Sequence, residues 1–106
     1  MIQILNMHNN LTAESLLMAG EENIKLGCFQ LAVDMGNSSE TIIEDRRLQP
    51  TRWSAPETIK LSVSTPKTDV YMFGHLMYEV LCHGVLPYSH KNISDVECVI
   101  QVGKNF

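Results

Sequence analysis

The sequence predicts an α+β fold, mainly α, in which a small β-hairpin precedes three helices. Helical spacing of apolar residues in the second half indicates the helices, and two short apolar stretches around a glycine indicate the hairpin. Hydrophobic residues make up 44% of the 106 residues and charged residues 19%, which is typical of a soluble globular protein. A chain of this length has room for one small domain with a single modest core.

The hairpin is the first predicted element. Its strands are the apolar stretches 15–18 and 23–26, and Gly20 lies in the turn between them. Residues 33–51 are polar, end near Pro50 and show no clear period. We therefore predict a long loop there, of a kind usually reserved for function or left mobile.

A short helix is predicted to follow this loop and to end near Leu61. Ser54 is expected to cap its free amides, and Pro56 suits the first turn of a helix. Glu57, three positions after Ser54, is placed to reach back and complete a capping box.

The long helix carries the strongest pattern in the sequence. Thr65 and Pro66 are start signals, and His83 and Gly84 are stop signals. Apolar residues recur between them at helical spacing, at Val70, Phe73, Leu76, Met77, Val80 and Leu81. We interpret the methionines of this helix as core-filling residues.

The last predicted helix begins at Ser94. Ser94 and Glu97 have the spacing of a capping box. Apolar residues including Val96 and Ile100 continue the helical pattern as far as Gly103.

Charge and cysteine content exclude several classes of function. The net charge is −4 and the eight Lys and Arg residues are scattered, so no basic stripe favours nucleic acid as a partner. The three widely spaced cysteines fit neither a disulfide framework nor a zinc site, and they favour a reducing, intracellular setting. We expect a cytoplasmic location, either in a cytoplasmic protein or in the intracellular part of a membrane receptor. No apolar run is long enough to span a bilayer, so we expect no membrane contact from this segment.

Three segments then show a specific resemblance. Residues 52–57 (RWSAPE), 69–74 (DVYMFG) and 84–88 (GVLPY) resemble, in order and spacing, three motifs of the protein kinase C-terminal lobe: the W-x-A-P-E end of the activation segment, the D-V-W-S-F-G start of the F helix and the G-x-x-P-Y turn after it. Trp53, with Pro50 before it, is similar to the tyrosine kinases. The resemblance implies structural roles for Trp53, Ala55, Pro56, Glu57, Asp69 and Gly74.

The resemblance extends upstream with altered letters. Residues 8–15 stand where the family has its catalytic loop, H-R-D-L-x-x-x-N, and residues 24–32 stand where it has the D-F-G strand and turn. The two acidic positions of these motifs, Asn10 and Cys28, are 18 positions apart, as is usual in tyrosine kinases. The resemblance thus implies that residues 1–106 are a partial protein kinase-like domain, from the catalytic-loop region through an activation-segment loop and an F-type helix to a G-type helix. The N-lobe and the last C-lobe helices of the family lie outside this span.

The residues that would perform phosphoryl transfer in the family are replaced. At the catalytic-base position, Asn10 cannot take a proton near neutral pH, and loss of a positioned base lowers rates by about 10²–10⁴-fold. At the two magnesium positions, Cys28 is a poor ligand for a hard cation, and Ser15 keeps an oxygen on a shorter arm. We therefore expect no functional catalytic residue, no metal and no cofactor, although the family uses ATP and magnesium.

Other positions favour structural roles. The resemblance implies that His8 packs its ring under the catalytic loop. Asp69 resembles an acid that braces catalytic-loop amides, and we favour this role over that of a first-turn carboxylate stabilised by the helix dipole. For Glu57 only helix capping is supported, because its family partner lies beyond Phe106. We expect Cys28 to be a small buried residue rather than a reactive thiol.

The residues that form the family's activation switch also differ in this sequence. Asn9 stands where many kinases carry an Arg that holds a phosphorylated activation loop, and residues 33–51 contain no tyrosine. Gln30 replaces the glycine of the D-F-G motif, so the turn lacks the residue that most easily adopts a positive φ.

Three hypotheses follow. We favour a catalytically impaired tyrosine-kinase-like segment, a pseudokinase, which acts as a signalling scaffold or allosteric partner of another protein such as a kinase. The first alternative is an active protein tyrosine kinase that transfers phosphate from ATP to protein tyrosine. The second is a non-functional truncated fragment, in which the apolar faces of the helix between Val70 and Leu81 are left exposed.

Overall fold

The computed structural model describes residues 6–34, 40–43 and 46–102. The described residues form short strands, 3₁₀ turns and longer helices, so the α+β, mainly α, fold class is confirmed. The strands are β1 (Asn6–Met7), β2 (Leu16–Met18), β3 (Ile24–Leu26), β4 (Val33–Asp34), β5 (Thr41–Ile42) and β6 (Val63–Ser64). The helices are α1 (Pro56–Leu61), α2 (Pro66–Leu81) and α3 (Ile93–Val102), and the 3₁₀ turns are Ala13–Ser15, Phe29–Leu31, Arg46–Leu48 and Thr51–Trp53.

The described strands pair as antiparallel two-stranded ribbons. β2 pairs with β3 in the register Leu16 with Leu26, which confirms the predicted hairpin. β1 pairs with β4, and β5 pairs with β6. The last two ribbons join segments that are distant in the sequence: β4 lies at the start of the region 33–51, and β5 lies near its middle.

The prediction of an unbroken loop over residues 33–51 is therefore wrong in part. Val33–Asp34 and Thr41–Ile42 are strands, because their hydrogen-bond partners come from β1 and β6 rather than from the loop itself. Two residues of strand leave no readable alternation in a sequence. Residues 35–39 and 44–45 of the predicted loop lie outside the described residues.

Helix α1 ends at Leu61 as predicted, but its start is capped differently. Ala55 is the N-cap residue, and no side chain caps the helix. The Ser54 hydroxyl instead donates to the Pro50 carbonyl at 3.0 Å. Ser54 faces back towards the preceding turn, so the predicted capping role of Ser54 is wrong.

Helix α2 begins and ends where the sequence predicts. The Thr65 hydroxyl accepts from the Lys67 amide at 3.2 Å, and Thr68 completes a capping box. At the other end His83 and Gly84 both have positive φ, and the Gly84 amide donates to the Glu79 carbonyl at 2.8 Å. This is the left-handed ending that glycine accommodates without strain.

Helix α3 begins one residue earlier than predicted. Its first residue is Ile93, and the Asn92 side-chain oxygen accepts from the Asp95 amide at 2.9 Å. Asn92, not Ser94, is therefore the capping residue. The predicted end at Gly103 lies outside the described residues.

The apolar core lies between α1 and α3. Ile59 of α1 packs with Val96 and Ile100 of α3, and Tyr88 covers this cluster. Met72 and Leu76 are buried on α2, whereas Met77 is half exposed, so the core-filling interpretation is correct for Met72 and wrong for Met77. Most of the periodic apolar residues of α2 face away from the described core.

Candidate functional site

The site predicted from the sequence lies where β1 leads into the turn that follows it. Asp69, in the first helical turn of α2, accepts hydrogen bonds from two successive backbone amides of the turn after β1. The His8 amide donates to Asp69 Oδ2 at 2.7 Å, and the Asn9 amide donates to Asp69 Oδ1 at 2.9 Å. Asp69 therefore braces the turn with both carboxylate oxygens.

The His8 ring lies under the same turn. Its Nε2 is 2.7 Å from the Gly27 carbonyl oxygen, and its Nδ1 is 3.2 Å from the Asn10 amide. A ring that carries its proton on Nε2 satisfies both contacts, because a carbonyl only accepts and an amide only donates. The Phe29 ring packs against it edge-on, with centroids 5.1 Å apart. Buried and bonded at both nitrogens, His8 is placed as a structural residue.

Asn9 is a buried connector that the sequence did not reveal. Its φ is +65°, a left-handed conformation in which asparagine is enriched among non-glycine residues. The side-chain NH2 donates to the Leu31 carbonyl at 3.1 Å, and the side-chain oxygen accepts from the Ser64 hydroxyl. Asn9 thus joins the turn to the segment after β3 and to β6.

Asn10 and Cys28, the two replaced acids, lie side by side. The Asn10 side-chain NH2 is 3.5 Å from the Cys28 carbonyl oxygen, a long hydrogen bond. Cys28 is exposed, and its thiol points to the Glu14 carbonyl at 3.7 Å. The expectation that Cys28 is buried is therefore wrong: Cys28 precedes the 3₁₀ turn Phe29–Leu31 with a left-handed φ of +57°, and the described segments around it leave its side chain exposed.

Within this segment, the residue with a positive φ is Cys28 and not Gln30, two positions later. Gln30 lies within the 3₁₀ turn Phe29–Leu31, which needs no positive φ. A left-handed conformation is uncommon for a non-glycine residue. Gln30 is thus accommodated within a 3₁₀ turn, and the left-handed residue of this segment is Cys28.

Ser15 is fully buried at the end of the 3₁₀ turn Ala13–Ser15. Its hydroxyl donates to the Thr12 carbonyl at 2.6 Å and accepts from the Thr12 amide at 3.2 Å. The single hydroxyl proton and one lone pair are therefore already used within the turn. This geometry makes Ser15 a capping residue of the turn.

These three side chains do not fit the magnesium ion that the family uses. Magnesium prefers oxygen ligands in octahedral geometry, above all carboxylates. The three side chains are an amide that donates to a carbonyl, a buried hydroxyl and a thiol. Within residues 6–34, 40–43 and 46–102, no group of three or more His, Cys, Asp or Glu side chains is placed to hold a metal ion.

Glu57 has a different partner from the one predicted. Its Oε1 accepts from the Thr68 hydroxyl at 3.0 Å, so it connects α1 to the first turn of α2. The predicted capping role is wrong, because Ala55 is the N-cap residue of α1 and no side chain caps the start of that helix. The spacing of Glu57 from Ser54 suggested the box, and nothing in the sequence pointed to Thr68.

Glu79 and Arg52 are the residues that sequence reasoning missed most completely. Glu79 Oε1 accepts from the Trp53 indole at 3.0 Å and from the Ala13 amide at 2.9 Å. Arg52 donates to the Pro87, Tyr88 and Lys91 carbonyls at 3.2, 2.6 and 2.8 Å. The only signal for either residue in the sequence was Glu79 itself, a single acid in the mainly apolar second half of α2.

The remaining motif positions differ in how the structure uses them. Ala55 is fully buried, and Pro56 is the first residue of α1. Gly74 lies on an exposed part of α2, where an added Cβ would meet nothing within 4 Å. Nothing among the described residues therefore explains a glycine at position 74.

A group of ring side chains is centred on His75 of α2. The His75 ring is 5.0 Å from the Tyr71 ring and 5.7 Å from the Tyr88 ring, measured between centroids. Burial, with contributions from Tyr88 and Glu57, raises the pKa of Tyr71 to about 12. Burial also lowers the pKa of His75 from its ordinary value. Both side chains are therefore neutral at pH 7.

Comparison with known proteins gives a consistent result. A family model for protein tyrosine and serine/threonine kinases matches residues 3–106. The chain is 33% identical over 82 residues to the macrophage colony-stimulating factor 1 receptor of Rattus norvegicus, a match that covers 77% of this chain and 8% of the receptor. It is 40% identical over 86 residues to the tyrosine-protein kinase FRK of Homo sapiens, covering 78% of this chain and 17% of that kinase. The chain thus spans less than a fifth of the length of these relatives.

Across the part of the chain that the structure describes, no helix is long and apolar enough to cross a membrane.

Proposed function

The chain belongs to the protein tyrosine and serine/threonine kinase family, and from that premise we propose that it is a catalytically impaired tyrosine-kinase-like segment that acts as a signalling scaffold or allosteric partner. The partner that we propose is another protein, such as a kinase, in the cytoplasm. Neither ATP nor magnesium has a role in this proposal.

One observation carries the proposal. The side chains at the three replaced positions are engaged with backbone groups of their own neighbourhood. Asn10 donates to the Cys28 carbonyl, Cys28 points to the Glu14 carbonyl, and Ser15 is bonded to Thr12. A site that transfers phosphate needs a carboxylate at the substrate hydroxyl and oxygen ligands for the metal, and these contacts supply neither.

The surrounding frame supports a retained structural role. Asp69 still braces the turn through two amides, and His8 still packs beneath it. Trp53 is anchored to Glu79, and Glu57 to Thr68. Loss of the reactive groups beside an intact frame is the pattern expected of a chain whose shape matters more than its chemistry.

The test for catalysis uses the intact protein that contains this chain. It is incubated with magnesium, radiolabelled ATP and a tyrosine-containing peptide polymer, and phosphate transfer is measured against a sample with chelator. We expect no transfer above the chelated sample. Transfer that disappears in Ser15→Ala or Glu14→Gln would support the active kinase instead. A triple variant, Asn10→Asp, Ser15→Asn and Cys28→Asp, shows whether the three replacements are the cause of a lack of activity.

The test for a scaffold is affinity purification of the tagged intact protein from cells under native conditions. The control is the same protein with several exposed side chains of this chain exchanged among themselves, which keeps composition and charge. We expect at least one protein to be enriched with the natural surface and lost with the exchanged one. Equal recovery of all proteins in both samples would count against the proposal.

The exposed face of α2 favours a second candidate, a non-functional truncated fragment. Val70 is 71% exposed and Leu81 is 74% exposed. Exposed apolar side chains in such number promote aggregation in an isolated chain. A cooperative thermal unfolding transition of the 106-residue chain, monomeric by light scattering, would contradict this candidate.

A further inference from the structure

Glu79 is a buried acid that the proposed function does not use. It lies near the C-terminal end of α2, is only 5% exposed, and accepts two hydrogen bonds on one oxygen. One donor is the Ala13 amide at 2.9 Å, and the other is the Trp53 indole at 3.0 Å. The two donors belong to segments that are 66 and 26 residues away from Glu79 in the chain.

The buried Glu79 carboxylate needs its two donors for solvation, and both donors need the carboxylate as their acceptor. Burial of a charged group without partners is very unfavourable, and hydrogen bonds to charged groups are stronger than those between neutral groups. No buried side-chain nitrogen or oxygen in the described part of the chain lacks a partner. Loss of either donor therefore leaves Glu79 poorly solvated and free to move relative to the other donor.

On one side Glu79 fixes the turn that carries Ser15. Ala13 is the first residue of the 3₁₀ turn Ala13–Ser15, so its amide has no partner inside the turn. The same turn continues into the hairpin, because the Ser15 carbonyl accepts from the Gly27 amide at 2.7 Å. Gly27 immediately precedes Cys28 of the altered site.

On the other side Glu79 fixes the turn Thr51–Trp53. Arg52, in that turn, donates to three carbonyls of the segment 87–91. The contacts thus run without interruption from the Cys28 neighbourhood, through Glu79, to the loop between α2 and α3.

We propose that Glu79 is a positioning residue that couples these two turns, so that a displacement of Trp53 is felt at Ala13 and a displacement of Ala13 is felt at Trp53. This inference goes beyond the proposed function, because it holds whether or not the chain transfers phosphate or binds a partner. It gives the scaffold a physical route by which the altered site and the Arg52-held loop respond to each other.

The forward test measures amide hydrogen exchange of the peptide that contains Ala13, by mass spectrometry on the intact protein. Glu79→Leu should raise the exchange rate about tenfold or more, the effect of losing a hydrogen bond to a charged group. Glu79→Gln keeps an acceptor oxygen and should restore most of the protection. Trp53→Phe keeps the ring and removes only the indole N–H, and it should raise exchange at Ala13 by about two- to fivefold. Tyr78→Phe, on the adjacent exposed position of α2, is the matched control and should have no effect.

The reverse test replaces the other donor. Ala13→Pro removes the Ala13 N–H at the one position of the turn that tolerates proline, after an extended Thr12 with φ −129° and ψ 168°. The protein is labelled with 5-fluorotryptophan, and the fluorine resonance of Trp53 is assigned by its loss in Trp53→Phe. Ala13→Pro should move this resonance, whereas Ala13→Ser, which keeps the N–H, should leave it in place.

The outcomes separate coupling from simple stabilisation. If Glu79→Leu raises exchange at Ala13 but Trp53→Phe matches the Tyr78→Phe control, Glu79 holds each turn independently and the proposal is overturned. An unmoved Trp53 resonance in Ala13→Pro overturns it equally. Where Glu79→Leu fails to fold, the Trp53→Phe and Ala13→Pro arms still decide, because both leave the carboxylate in place.

Discussion

The two faces of helix α2 meet the rest of the chain in opposite ways. On one face, Thr68, Asp69 and Glu79 exchange hydrogen bonds with α1 and with the turns at residues 8–9, 13 and 53. On the other face, Val70 and Leu81 are among several apolar side chains that are largely exposed in the described structure. The face that sequence periodicity marks as the core side is thus the less occupied one.

The two faces differ in how precisely their contacts define the position of α2. Each polar contact has a specific donor and acceptor, so it sets both the rotation and the register of the helix against the turns. Apolar contacts are not directional and tolerate sliding. The buried face, which also carries Met72 and Leu76, therefore fixes the position of α2 through these polar contacts. Four predictions test this contrast between the two faces.

The largest effect is expected for Asp69→Ala. It removes the acceptors of the His8 and Asn9 amides, and we expect the free energy of unfolding to fall by about 2–4 kcal/mol in denaturant titrations. Asp95→Ala is the matched control, because Asp95 is also an acid in the first turn of a helix but is exposed on α3. Equal effects of the two substitutions would mean that Asp69 acts only through the helix dipole.

A smaller effect is expected for the pair Glu57 and Thr68. A double-mutant cycle with Glu57→Ala and Thr68→Val should give a coupling free energy of about 1 kcal/mol, because the two side chains share one hydrogen bond. The same cycle with Thr41→Val should give a coupling near zero, since Thr41 is in β5 and is not a hydrogen-bond partner of Glu57. A coupling near zero for both pairs would remove Glu57 from the set of residues that position α2.

Acid should weaken the fold slightly through His75. Burial lowers the pKa of His75, so the unfolded chain binds the proton more readily than the folded one. The penalty is absent above the ordinary value near 6.5 and grows as the pH falls below it towards the lowered folded pKa. His75→Gln should therefore flatten the decline in melting temperature between pH 7 and pH 5 relative to the natural protein. An unchanged slope would show that His75 is protonated without cost.

The smallest effect is expected on the apolar face. Leu81→Gln should change the free energy of unfolding of the 106-residue chain by no more than about 0.5 kcal/mol, because Leu81 is mostly in water. Leu76→Gln, on the buried side of the same helix, should destabilise strongly. A large loss from Leu81→Gln would show that this face is covered, and the contrast between the two faces would not hold.

The two ends of α2 and the turn of the hairpin were predictable from local signals. Thr65 and Pro66 at the start of α2 and Gly84 at its end all act within one turn of the helix, and so does the Gly20 turn of the hairpin. These signals depend on neighbouring residues alone, and spacing in the sequence therefore records them.

Side-chain partners were predictable only where a motif carried them. The brace formed by Asp69 was expected from the resemblance. In contrast, Ser54 donates to the Pro50 carbonyl, Glu57 accepts from the Thr68 hydroxyl, and Asn92 caps α3 in place of Ser94. Cys28 was expected to be buried because its type favours burial, but the described segments around it leave its side chain exposed.

Residue identity and short-range spacing were enough to predict the hairpin, the helices, the family and the replacement of the family's residues at positions 10, 15 and 28. The partners of those residues came from the folded arrangement, and so did the finding that Glu79 is the shared acceptor of Ala13 and Trp53. The reason is geometric: hydrogen bonds between segments that are tens of residues apart are set by how the elements pack, and no periodicity along the chain records that packing.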